Sequence, residues 1–172
     1  MAIYALGDQV PQIHPDAYVH PDAVLIGSVV LGAEASVWPC AVIRADESPI
    51  VIGARTSIQD GTVIHTTDPA RTRVGADCVI GHLVHLEGCV IEDGCLVGSN
   101  SVVLHHAIVR TGALVGAGAV VSGGVEVPSG AMALGIPAKL RLDSVTPEMI
   151  SEGALSYIHR SARYRRELRR ID

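Results

Sequence analysis

The sequence predicts an all-β chain wound as a single-stranded parallel β-helix of about six coils, closed by one C-terminal α-helix. Three observations predict it. An Ile, Leu or Val recurs at Ile13, Val19, Leu25, Leu31, Val37, Ile43, Ile52, Ile58, Ile64, Val74, Ile80, Leu86, Ile91, Val97, Val103, Val109, Val115, Val121 and Val127, and fifteen of the eighteen intervals are six residues. Glycine directly follows that residue in Leu31-Gly32, Ile52-Gly53, Val74-Gly75, Ile80-Gly81, Val97-Gly98 and Val115-Gly116. The 172 residues are 48% apolar yet include 18 Gly, no Phe and only 3% aromatics, so the core is narrow and aliphatic, where a sandwich or doubly wound sheet would use more rings.

On these residues the chain resembles the left-handed β-helix family, in which each hexapeptide forms one side of a triangular coil and the recurrent aliphatic residue points into the prism. Nineteen sides give about six coils, which at ~4.8 Å per rung stand roughly 29 Å tall. The missing Phe follows, because the triangular interior has no room for rings. Two insertions interrupt the repeat, after Arg44 (Arg44-Ala45-Asp46-Glu47-Ser48-Pro49) and after His65 (His65-Thr66-Thr67-Asp68-Pro69). Both read as polar loops on one face, where departures from a regular repeat tend to mark binding sites.

The repeat ends at Pro128, and residues 1–137 form the β-helix domain. Residues 138–172 read as a linker and a helix packed on the prism. Thr146-Pro147-Glu148 supplies an N-cap, an N1 proline and an early acid, opening a helix to about Arg170. Ile150, Ala154, Ile158 and Ala162 form its prism-facing stripe, which leaves Arg160, Arg163, Arg165, Arg166, Arg169 and Arg170 on a solvated face. With Lys+Arg 13 against Asp+Glu 18 and a formal charge of -5, no nucleic-acid partner is expected. No apolar run approaches the roughly 18 residues that span a bilayer, and the N-terminus carries no signal-like stretch, so no membrane association and a cytoplasmic location are expected. Cys40, Cys78, Cys89 and Cys95 contain no CxxC pair and are expected to be small wall residues.

Sides three apart stack on neighbouring rungs, which turns spacing into geometry. Arg44, His65, Glu87 and Leu104 fall in one outward column, with His85 on the same face over Val63. Asp60 and His82 stack on a different face, Gln59 sits beside Asp60, and His105-His106 occupy the next rung on the His65 face as expected corner residues. Trp38 and Tyr164 receive no role. Identical prisms packed about a threefold axis would bring the His82 face of one subunit to the His65 face of the next, and a metal site shared between subunits follows.

Ile43-Arg44-Ala45-Asp46-Glu47, Ile52-Gly53, Ile58-Gln59-Asp60-Gly61, Ile64-His65, Ile80-Gly81-His82 and Gly88-Cys89 resemble the gamma-class carbonic anhydrase family, and the resemblance covers essentially the whole chain. It implies a homotrimer with His65 and His82 as metal ligands from adjacent subunits, an interface network of Arg44, Asp46 and Asp60, and Gln59 near the metal water. The third ligand departs from the family, since its histidine position is Glu87, and either Glu87 or His85 can fill it. The implied metal is zinc, with iron or cobalt also compatible. The implied reaction is reversible hydration of carbon dioxide to bicarbonate, with Gln59 orienting the hydroxide and Glu47 and Asp68 carrying the proton. Two alternatives are a hexapeptide-repeat acyltransferase, since Gly135-Ile136-Pro137-Ala138-Lys139 resembles a segment those enzymes carry, and a non-catalytic metal-binding or assembly protein.

Overall fold

The computed structural model describes residues 2–67 and 70–172. It is a three-faced solenoid of about seven turns, matching a left-handed β-helix, with one C-terminal helix. The first face stacks Ala2–Tyr4, the start of Val24–Leu31, the start of Val42–Ile52, Val63–His65, His85–Glu87, Val102–Val103 and Val120–Val121. The second stacks Gln12–Ile13, the ends of the same two long strands, Thr72–Val74, Val90–Ile91, Ile108–Val109 and Glu126–Val127. Tyr18–Val19, Ser36–Val37, Ser57–Ile58, Val79–Ile80, Leu96–Val97, Leu114–Val115 and Met132–Leu134 make the third, and all of these ladders are parallel.

The solenoid exceeds the six coils read from the hexads, and the reason lies at its ends. Ala2–Tyr4 opens a rung before Ile13, paired to Val24–Ile26. At the other end the inward position six residues after Val127 is Ala133, fully buried, which a pattern restricted to Ile, Leu and Val passes over. The antiparallel strand Lys139–Arg141 then pairs with Met132–Leu134.

The interior is built from two kinds of residue. Leu25, Ile43, Ile64, Leu86 and Val103 fill the prism from the first face, and Ile58, Ile80, Val97 and Val115 fill it from the third. Between faces, columns of small residues turn inward where the chain bends, such as Ala35, Thr56, Cys78, Cys95, Ala113 and Ala131, all without exposure. Buried Thr hydroxyls are satisfied there by donating to the next coil, Thr56 Oγ1 to the Gly75 carbonyl at 2.7 Å and Thr62 Oγ1 to that of Gly81 at 2.8 Å. Cys78, Cys89 and Cys95 are the expected wall residues, but Cys40 is exposed in a turn at φ 59°. The glycine after the inward residue has a steric cause: a Cβ on Gly53 would lie 2.4 Å from the carbonyl carbon of Gly75 one coil on.

The insertion after Arg44 is not a loop. It lengthens one strand, Val42–Ile52, which runs around the corner from the first face to the second, with a register irregularity against Gly27 and Val29. The helix, α1, covers Glu148–Glu167 and ends three residues before the expected Arg170, with Leu168 extended. Its first turn is entered through Pro147 rather than capped by Thr146, which instead bonds the Glu148 carboxylate and lowers its pKa. The buried stripe is Ile150, Ala154 and Ser161, with Ala162 exposed, because the 3.6-residue period moves the contact from i+4 to i+3.

α1 lies on the third face against Tyr18–Val19, Ser36–Val37, Ser57–Ile58 and Val79–Ile80. Trp38, 3% exposed, is the clamp: its ring meets Tyr18, Tyr157 and Tyr164 at centroid distances of 5.5, 5.4 and 5.1 Å. Its indole N–H donates to Ser36 Oγ and Ser57 Oγ at 3.1 and 3.0 Å. Aromatic residues excluded from the prism are thus used outside it, to hold the helix. Among the described residues no helix is long and apolar enough to cross a membrane.

Candidate functional site

The expected column exists. Arg44 pairs with His65, and His65 with Glu87, on successive rungs of the first face, while His85 lies beside Val63. Strand alternation turns these side chains outward as their neighbours Ile43, Ile64 and Leu86 fill the core. Thr72, across the second insertion, fixes the corner: its buried hydroxyl donates to the His65 carbonyl and accepts the Gly88 N–H at 2.9 Å. Sequence reading missed Thr72 because an irregular insertion separates it from the rung it ties.

Glu87 is the centre of the cluster. Its Oε2 lies 3.2 Å from His85 Nε2, and its Oε1 lies 3.4 Å from His65 Nδ1 and 3.5 Å from His105 Nε2. His105 therefore joins the site rather than standing as a solvated corner residue. Its ring packs over Gly88, where a Cβ would come within 3.0 Å of His105 Cδ2. Burial pushes the Glu87 carboxyl up, but the hydrogen bonds from His85 and His65 and electrostatic attraction toward His105 and His85 outweigh it and hold the pKa below the ordinary carboxylate value.

The opposite edge of His65 meets Asp46, whose Oδ1 lies 3.0 Å from Nε2, while Arg44 donates to Asp46 Oδ2. Burial raises the Asp46 carboxyl, and its backbone, His65 and Arg44 bonds together take it below its ordinary value. Both ring nitrogens of His65 thus face carboxylates. A metal bound by His65 would have to displace one of them.

The remaining expected residues lie elsewhere. His82 Nδ1 pairs with Asp60 Oδ2 at 2.9 Å, both about half exposed, at the corner between the third and first faces. Gln59 is buried beside Asp60. Glu47 follows Asp46 on the long strand and is exposed. Asp68 lies outside the described residues. Among the described residues of one chain, no group of three His, Cys, Asp or Glu could hold a metal ion; a second chain that brought His82 to His65 and Glu87 would assemble a donor set that fits one.

Chemically, the one-chain cluster is a carboxylate surrounded by imidazoles. Two of them, His85 and His105, have side chains 37% and 41% exposed against 17% for His65. With Nε2–H donated to Glu87, the lone pair of His85 sits on Nδ1, the arrangement of a carboxylate-oriented general base.

The family described as bacterial transferase hexapeptide (six repeats) matches over residues 71–105 and 88–123. The carnitine operon protein CaiE of Escherichia coli O157:H7 is 43% identical over 91 residues, 53% of this chain and 46% of that protein. The chain thus matches about half the length of that curated relative. A Bacillus cereus structure described as a candidate acetyltransferase superposes with a TM-score of 0.93 at 31% identity, over 96% of this chain and 97% of the other. A hexapeptide transferase family protein from Anaplasma phagocytophilum gives 0.90 at 30% identity, over 95% and 98%. A histidine variant of perosamine N-acetyltransferase from Caulobacter crescentus, in complex with CoA and GDP-perosamine, gives 0.58 at 29% identity, over 77% and 57%. The family description and the three structure descriptions speak of transferases, and none of the names reported speaks of a carbonic anhydrase. The repeat, the three-faced solenoid and near-complete superposition at 30% identity or more lead to one conclusion: the chain belongs to the hexapeptide transferase family.

Proposed function

We propose that this protein is an acyltransferase that moves an acyl group from a thioester donor to an amine or hydroxyl acceptor. The observation that carries the reading is the His85–Glu87 pair, Nε2 to Oε2 at 3.2 Å, in a fold shared with named acetyltransferases. His85 Nδ1 accepts the acceptor's proton as its N or O attacks the thioester carbonyl. The tetrahedral intermediate collapses by breaking the C–S bond, and the departing thiolate takes the proton back from His85. Glu87 holds the imidazole in the required tautomer and offsets the charge it gains. The test is release of free thiol from acetyl-CoA over a panel of amine and hydroxyl acceptors. Acceptor-dependent release that falls 10²–10⁴-fold in His85→Asn is expected. No release, or release unchanged in the variant, overturns the reading.

A homotrimer accompanies this proposal. α1 covers four strands of the third face, while the first and second keep outward columns that are mostly β-branched, Val24, Val42, Val63, His85 and Val102 on one and Val30, Val51, Arg73, Val90 and Ile108 on the other. Two uncovered flat faces at a corner suit a heterologous contact that closes after three copies.

One arrangement favours metal-dependent hydration of carbon dioxide as a second reading: Arg44, His65 and Glu87 stand in register, with the Asp60–His82 pair one corner away. His65 and Glu87 of one chain and His82 of a second would hold the ion, whose bound form supplies Lewis-acid activation of water at neutral pH. Glu47, and Asp68 outside the described residues, would carry the proton to solvent. Metal analysis with a hydration assay separates the two readings.

A further inference from the structure

On the side of the molecule away from the His85 cluster, α1 and a corner of the prism enclose a trench of about 590 Å³. Its helix wall is Ile150, Ala154, Leu155 and Ile158, and Leu155 is left 56% exposed. The opposite wall consists of the turns between the second and third faces, at Arg55, Asp77, Gly94, Gly112 and Gly130. These turns stack over four rung spacings, which makes the wall straight for roughly 19 Å at ~4.8 Å per rung. A cavity of this size, mostly apolar with few polar groups, has the form of a small-molecule site.

The occupant follows from what the wall offers. The N–H groups of Arg55, Asp77, Gly94 and Gly112 are donated to the carbonyls of Ala33, Ala54, Ala76 and Asp93 at 2.8, 2.9, 2.9 and 3.1 Å. The Gly130 carbonyl accepts from Ser144 and Val145 at 3.0 and 3.1 Å. An extended peptide laid in the trench would therefore find no row of free backbone donors, and its own carbonyls would lose water without compensation. A hydrocarbon chain needs none.

The polar end is equally selective. Arg55 spends Nε and Nη2 on the two Asp77 oxygens, both at 2.6 Å, and among the described residues Nη1 is unengaged. Asp77 neutralises its charge and Glu34 lies within electrostatic reach, so an anionic head meets a locally acidic corner while a neutral carbonyl can accept from Nη1. We propose that this trench binds a straight aliphatic chain ending in a neutral carbonyl group, an acyl amide, ester or thioester.

The test titrates octanamide into the full chain labelled at Ile and Leu methyl groups and follows them by NMR. Saturable shifts at Ile150, Leu155 and Ile158 are expected. Leu155→Trp and Ser151→Phe, which fill the trench from its exposed helix wall, should each weaken binding at least tenfold, and Arg55→Leu about fivefold. Octanoate should bind at least fivefold more weakly than octanamide. His85→Asn should leave binding unchanged, so failure of the acyl-transfer reading and failure of this one are told apart. The proposal is overturned by absence of saturable shifts, by binding that survives both filling variants, by tighter binding of octanoate, or by tighter binding of an extended alanine-rich peptide. It is also overturned if Leu155→Trp changes the sedimentation coefficient, because a second copy would then be what covers the trench.

Discussion

Glu87→Gln tests the centre of the site, since an amide keeps the shape of the carboxylate and removes its charge. In the wild type Glu87 meets His85 at 3.2 Å, His65 at 3.4 Å and His105 at 3.5 Å. The third distance is too long to count as a strong bond. Two bonds at about 1 kcal/mol each, discounted because 21% of the Glu87 side chain reaches water, give a destabilisation of about 1–2 kcal/mol at pH 7. For a chain of this size that lowers Tm by about 2–8 °C. The sign of the pH dependence is fixed by the lowered pKa of Glu87. A carboxyl depressed in the folded state stabilises fully above its unfolded pKa and loses that contribution as pH falls through the folded value. The gap between wild type and variant should therefore be full at pH 7, shrink below about pH 4 and close in stronger acid. Thermal unfolding across pH 3 to 8 measures it, and thiol release from acetyl-CoA should fall 10²–10⁴-fold in parallel, because the base loses its orienting partner. A stability gap that is constant with pH, or turnover untouched in a variant that shows the gap, refutes the role assigned to Glu87.

Trp38→Ala removes the clamp on α1 and should cost about 3–5 kcal/mol of docking free energy, seen as loss of helix protection in hydrogen exchange while the solenoid stays protected. Gly53→Ala forces a Cβ to within 2.4 Å of the backbone of Gly75 and should lower Tm, whereas Gly94→Ala, where nothing lies within 4 Å, should cost only the strain of its positive φ. If the chain is the proposed trimer, Val51→Asp, which places a charge in the uncovered second face, should convert it to smaller species in sedimentation. Under the metal reading, His65→Ala and His82→Ala should each abolish a metal content near one ion per chain, and equal content in all three proteins excludes a shared site.

The architecture was legible because the solenoid is quasi-one-dimensional: each side is set by its own six residues and its neighbours one coil away. Hexad spacing alone therefore placed His65 over Arg44 and Glu87 over His65, as the ladders do. Where the repeat breaks, local spacing loses its meaning. The Arg44 insertion became a bent strand, Thr72 came to lock His65 from beyond the second insertion, and Ala133 extended the prism without an aliphatic signal. The roles of Trp38 and His105 were decided only in three dimensions. Both depend on side chains that reach across rungs, Trp38 to Tyr157 and Tyr164 of a helix more than a hundred residues away and His105 onto the carboxylate one coil before it. Sequence spacing fixes which face a residue occupies, but the direction and reach of its side chain are set by packing against neighbours that the chain brings together only when folded.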